Sequence, residues 1–172
     1  MPLHLVLVGL PGCGKTVVGR AAADLLGTSF TDIDESVVRE QRQSVAQTFQ
    51  THGEAHFRQL ERAAMNRVLS RPPGVIAPGG GWAAQPGNLE HAVGKAVLVY
   101  MRVTPGVAAE RLGDVSDRPL LAGSDVAARL SELLAQREAC YRRAGHSVDT
   151  DGRTPETIAA AVVGIARKWG GW

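Results

Sequence analysis

Gly9-Leu10-Pro11-Gly12-Cys13-Gly14-Lys15-Thr16 decides how this chain is read. Glycine, four residues, glycine, lysine and a hydroxyl residue make a loop whose main-chain N–H groups can converge on phosphate oxygens, provided a strand enters it and a helix leaves it. Both flanks comply. Upstream, Leu3 to Val8 is leucine and valine broken only by His4, the near-continuous apolar run of a parallel strand buried on both faces. Downstream, Val17, Val18, Ala21, Ala22, Leu25 and Leu26 recur at helical spacing, and Gly27 supplies a C-terminal stop. The helix N-terminus adds partial positive charge, Lys15 would reach the β- and γ-phosphates, and the Thr16 hydroxyl would be a ligand of Mg²⁺. A nucleotide is therefore expected, with Gly12, Cys13, Gly14, Lys15 and Thr16 around its phosphates. No Asn-Lys-x-Asp guanine-reading stretch occurs, which favours ATP over GTP.

Working outward, further strands are expected at Ser29 to Asp32, Gly74 to Ala77, Ala96 to Met101 and Ser147 to Asp149, separated by helical stretches. That alternation predicts a three-layer α/β/α domain with a five-stranded parallel sheet. Glu35 to Leu69 reads as a helical insert, broken near Gln43-Ser44 and near His52-Gly53. Gly113 to Pro119 interrupts two helices with turn-forming residues and reads as a mobile lid, about 112–125. A last amphipathic helix is expected from Pro155 to Lys168, and Gly170-Gly171-Trp172 as a frayed tail.

With 172 residues, one domain is expected. Hydrophobic residues make up 44% and charged residues 21%, enough for a core and too apolar for global disorder. No apolar run approaches the ~18 residues of a membrane helix, and the N-terminus lacks a basic leader, so a cytoplasmic protein without membrane contact is expected. A net charge of +2 gives no polycationic surface for nucleic acid. Cys13 and Cys140 are too few for a disulfide framework or a thiolate zinc site. Of the 19 basic residues only Lys15, Lys95 and Lys168 are lysines, and one stands where phosphate chemistry needs it.

Asp32-Ile33-Asp34 closes the second strand, where alternation would put both carboxylates on one side at the carboxyl edge of the sheet. One could hold water around Mg²⁺ and the other accept a hydrogen bond from an attacking hydroxyl. A single Asp here would usually be only the N-cap of the following helix, at Asp32 or Asp34; the pair favours the chemical reading. Arg58 and Glu61 stand three apart on one helix face, so Glu61 could orient the guanidinium. Gly79-Gly80-Gly81 follows a strand and would let a small ligand lie against backbone. His52 and His56 share a helical spacing but have no third partner, and read as surface histidines.

Taken together, Gly9 to Thr16, Asp32-x-Asp34, Gly53-Glu54-x-x-Phe57-Arg58-x-x-Glu61, Gly79-Gly80-Gly81, Arg118-Pro119-Leu120-Leu121, Arg137-x-x-x-Tyr141 and Thr154-Pro155-Glu156 resemble the shikimate kinase family, nucleoside-monophosphate-kinase-like members of the P-loop NTPase fold. The resemblance spans nearly the whole chain. It implies transfer of the ATP γ-phosphoryl group to the 3-hydroxyl of shikimate, in the route to chorismate and the aromatic amino acids. A monomer is the default expectation. By the same resemblance, Arg58 and Arg137 hold the carboxylate, Asp34 meets the reacting hydroxyl, and Gly79, Gly80 and Gly81 line the ring. Phe49 and Phe57 flank it, unless they are simply core. Arg118 swings in with the lid onto the transferring phosphoryl group, Arg111 and Arg153 sandwich adenine, and Asp32 holds Mg²⁺ through water. Two departures stand out: Pro78 precedes the glycine triplet, and Gln43 replaces a glycine before the Ser44-Val45 helix start. Another carboxylated polyol, such as gluconate, is a rival acceptor, and a nucleotide sensor without catalysis is a rival from another class.

Overall fold

A computed structural model describes residues 1–123 and 125–172. Strands β1 (His4–Val8), β2 (Phe30–Asp32), β3 (Val75–Ala77), β4 (Ala96–Arg102) and β5 (Gly145–Asp149) form one sheet in the order β2-β3-β1-β4-β5. Every pairing is parallel, with Val6 opposite Ile76 on one side and Leu98 on the other. Leu5, Val6 and Leu7 have no exposed surface, as the unbroken apolar run of β1 requires of a central strand. Helices α1 (Lys15–Leu26), α2 (Ile33–Gln41), α3 (Val45–His52), α4 (Glu54–Leu69), α5 (Asn88–Ala92), α6 (Pro105–Leu112), α7 (Val126–Arg142) and α8 (Pro155–Gly170) surround it. The expected α/β architecture is thus present. A 3-10 turn at Trp82–Ala84 and the short α5 were not foreseen.

The breaks in the helical insert have local causes. Helix α2 ends at Arg42, which adopts the left-handed conformation (φ 54°). Ser44 then starts α3 with a capping box, its Oγ accepting from the Gln47 amide while Gln47 Oε1 accepts from the Ser44 amide. Gln43 is therefore not the residue with glycine-like backbone. Gly53, at φ 84°, separates α3 from α4.

Three expectations are corrected. Strand β2 stops at Asp32, so Asp34 sits in the first turn of α2, and the two carboxylates are not related by strand alternation. The Asp32 side chain caps that helix, accepting from the Glu35 amide at 3.2 Å. The C-terminus is not frayed: α8 runs through Gly170, the Leu3 amide donates to the Gly170 carbonyl at 2.8 Å, and Trp172 Nε1 donates to the Leu3 carbonyl at 2.9 Å. Trp172 packs on the core and ties the two chain ends together. Finally, β5 begins two residues earlier than expected, at Gly145.

Candidate active site

The site is built at the carboxyl ends of β1, β2 and β3, where a parallel sheet opens between its strands and the helices that follow. Gly9, Gly12 and Gly14 have φ of 149°, 82° and 93°, so the loop after β1 follows a path that L side chains rarely adopt. A Cβ on Gly12 would also lie 2.6 Å from the Ala108 carbonyl oxygen. Lys15 Nζ donates to the carbonyls of Gly9 (2.8 Å) and Leu10 (3.0 Å), and Thr16 Oγ1 donates to Asp32 Oδ2 (2.8 Å). Asp32 therefore serves two purposes, helix cap through Oδ1 and partner of Thr16 through Oδ2.

Facing this loop is a second wall made by α2, α4, α7 and the Gly79–Gly81 segment. Glu61 has no exposed surface, and its Oε2 accepts from Arg58 Nη1 at 2.9 Å. Glu54 holds the other Arg58 nitrogen at 3.2 Å, and the guanidinium lies 5.5 Å from the centre of the Phe57 ring. Burial tends to neutralise Arg58, but the Glu61 and Glu54 carboxylates outweigh it and keep it charged. Glu61 itself is pushed above the usual carboxylate range by burial, against the pull of Arg58. Asp34 is pushed up to about 7, first by burial and then by the Glu61 and Asp32 carboxylates, with Lys15 and Arg58 opposing. Asp34 Oδ1, Glu61 Oε1 and Arg58 Nε are buried and have no hydrogen-bond partner among the described residues.

The glycine triplet is fitted against these groups. A Cβ at Gly79 would lie 2.5 Å from Glu61 Oε1 and 2.8 Å from Asp34 Oδ1. At Gly80 it would lie 2.8 Å from Pro11 Cδ, and at Gly81 2.6 Å from Arg58 Cζ. A methyl at any of the three positions would displace one of these groups.

Of the residues singled out from the sequence, those expected to bind substrate, nucleotide or metal line one cleft of about 870 Å³: Gly12, Cys13, Gly14, Lys15, Thr16, Asp32, Asp34, Arg58, Gly79, Gly80, Gly81, Arg111, Arg118, Arg137 and Arg153. Phe49 and Phe57 line it too while packing on each other, their rings 5.2 Å apart, so they are core and cavity wall at once. Arg111 is held by Thr150, donating to its Oγ1 at 3.0 Å and its carbonyl at 2.7 Å, and Arg153 donates to the Asp149 carbonyl at 3.1 Å. Arg118 is exposed, and its side chain makes no hydrogen bond among the described residues. Cys13 and Cys140 are free thiols, Cys13 fully buried. His52 is exposed and His56 half-buried, and no group of three or more His, Cys, Asp or Glu placed to hold a metal occurs among the described residues. Sequence reasoning missed Pro11 as the seat of Gly80 and Thr150 as the anchor of Arg111. Both are long-range contacts without local signal.

Residues 11–166 match the family model described as shikimate kinase. The chain belongs to the shikimate kinase family. It is 44% identical over 161 residues to a shikimate kinase of Salinispora tropica, covering 93% of this chain and 95% of the relative. It is 38% identical over 160 residues to one of Caldanaerobacter subterraneus subsp. tengcongensis, covering 93% of this chain and 94% of the relative. Among solved structures, the shikimate kinase from Acinetobacter baumannii in complex with shikimate superposes with a TM-score of 0.92 at 30% identity, covering 98% of this chain and 94% of that one. Membership of this family makes the chain an ATP-dependent kinase.

Proposed function

We propose that this chain transfers the γ-phosphoryl group of ATP to the 3-hydroxyl of shikimate, with the glycine loop holding the donor and the α2–α4–α7 wall holding the acceptor. The observation that carries the assignment of roles is the set of buried, unpaired polar atoms in that wall: Asp34 Oδ1, Glu61 Oε1 and Arg58 Nε. Each unpaired buried group costs about 1–3 kcal/mol. A small ring bearing a carboxylate and three hydroxyls supplies the missing partners. Arg58 and Arg137 take the carboxylate, since a planar guanidinium matches it better than an ammonium does. Asp34, titrating near neutrality, takes the proton of the attacking hydroxyl. The Gly79–Gly81 backbone lines the ring.

On the donor side, Lys15 exchanges its bonds to loop carbonyls for phosphate oxygens, and the exposed Arg118 moves onto the transferring group and excludes water. Arg111 and Arg153 flank the adenine. The Thr16 hydroxyl and the Asp32 carboxylate, 2.8 Å apart, fit Mg²⁺, which prefers oxygen ligands and completes its shell with phosphate and water rather than a protein cage. When bound, the ion neutralises charge on the phosphates. No helix among the described residues is long and apolar enough to cross a membrane. We take the enzyme to act as a cytoplasmic monomer, without nucleic acid.

The test is ADP release with and without shikimate, with gluconate as the competing acceptor. Release that depends on shikimate is expected. Tight ATP binding without it would make the chain a nucleotide sensor, and release with gluconate alone would reassign the acceptor.

A further inference from the structure

Tyr141 lies on α7, one turn beyond Arg137, and has no exposed surface. Its ring stacks on Tyr100 with centroids 5.2 Å apart, and its hydroxyl donates to the carbonyl of Gly80. The carbonyls on either side of that one are used locally: Gly79 accepts from the Trp82 amide at 3.1 Å, and Gly81 from the Ala84 amide at 3.2 Å and from Gln85 Nε2 at 3.4 Å, all within four residues along the chain. Gly80 is thus the one residue of the triplet whose carbonyl is held from another element. A Cβ at Gly80 would run into the Pro11 ring of the phosphate loop.

A peptide unit is planar and trans, so fixing the Gly80 carbonyl toward α7 fixes the Gly81 N–H in the opposite direction. That N–H makes no hydrogen bond among the described residues, although Gly81 is buried, and the residue abuts the Arg58 guanidinium. We infer that Tyr141 is a positioning residue: through the Gly80 carbonyl it sets the Gly80–Gly81 peptide plane so that the Gly81 N–H is presented as a donor to the acceptor molecule. Glycine on both sides of that bond leaves the plane no side-chain restraint of its own. The phenol replaces it.

The inference rests on the acceptor reading above, and kinetics with each substrate varied separately keep the two distinguishable. Tyr141→Phe keeps the ring and removes the bond to Gly80 together with the hydroxyl's interaction with the Arg137 guanidinium, so amide exchange at Gly81 is read beside the kinetics: shikimate should slow it in wild type and not in Tyr141→Phe if the Gly80 route is the one that acts. Tyr100→Phe is the control, since that hydroxyl makes no hydrogen bond among the described residues. Tyr141→Phe is expected to raise the KM for shikimate about tenfold, the effect of one well-placed hydrogen bond, while the KM for ATP and the values for Tyr100→Phe stay within about twofold of wild type. A wild-type shikimate KM in Tyr141→Phe, or equal rises in both KM values together with a lowered Tm, overturns the inference and leaves the function standing. Wild-type protein that releases no shikimate-dependent ADP overturns the function itself. Should Tyr141→Phe fail to fold, amide hydrogen exchange of the wild-type protein decides: exchange at Gly81 must slow on adding shikimate, and unchanged exchange refutes the proposal.

Discussion

Gly81→Ala isolates the acceptor wall from the rest of the enzyme. The backbone at Gly81 is helical (φ −92°, ψ −9°), so alanine carries no conformational penalty there and even gains slightly by restricting the unfolded chain. The new methyl would lie 2.6 Å from Arg58 Cζ, against the ~3.5–4 Å of an ordinary carbon contact, so the guanidinium must retreat by about 1 Å. Arg58 is a long side chain and can yield, but only by stretching its 2.9 Å bond to the buried Glu61. The fold should survive, with Tm within a few degrees of wild type. The acceptor geometry should not: a ~1 Å misplacement of a substrate clamp is worth up to about a hundredfold in rate. We expect kcat/KM for shikimate to fall about thirty- to a hundredfold, with the ATP dissociation constant, read by calorimetry without shikimate, unchanged. A kcat/KM within twofold of wild type would refute the placement of Arg58 against the acceptor.

Activity should rise with pH through about 7 as Asp34 ionises, and Asp34→Asn should abolish turnover while sparing ATP binding; a wild-type profile in that variant removes Asp34 as base. The same group gives a stability signature. Its folded value lies above the unfolded 3.8, so the native state holds the extra proton between these values, and stability is lost as pH rises from about 4 to about 7. Urea titrations should show that slope flattened in Asp34→Asn. Arg42→Gly should stabilise by about 1 kcal/mol, or about 3 °C in Tm, because it removes the left-handed strain of a side chain at φ 54°; an unchanged Tm would mean that the arginine makes up for it elsewhere. Trp172→Ala should cost about 1–3 kcal/mol by removing the bond to the Leu3 carbonyl and its packing, with kcat unaffected, since the clamp lies away from the cleft.

Much of this protein was legible in its sequence because the signals are local. An apolar strand, a glycine loop and a helical repeat within 27 residues are enough to place a phosphate site at a sheet edge, and the order of the remaining motifs identifies the family. The Ser44–Gln47 capping box and the stop at Gly53 belong to the same local class. Asp34 shows where such reading fails. Strand alternation and the first turn of a helix compete for Asp32-Ile33-Asp34, and the helix wins because Asp32 caps it. What tertiary structure alone decided is which partners each polar group finds. Burial of Asp34, with the Glu61 and Asp32 carboxylates beside it, pushes its carboxyl up to about 7, a methyl at Gly79, Gly80 or Gly81 would displace Asp34 and Glu61, Pro11 or Arg58, and Trp172 returns to Leu3 across the whole chain. Desolvation and steric exclusion are properties of neighbours brought together by folding, and no window of sequence contains them.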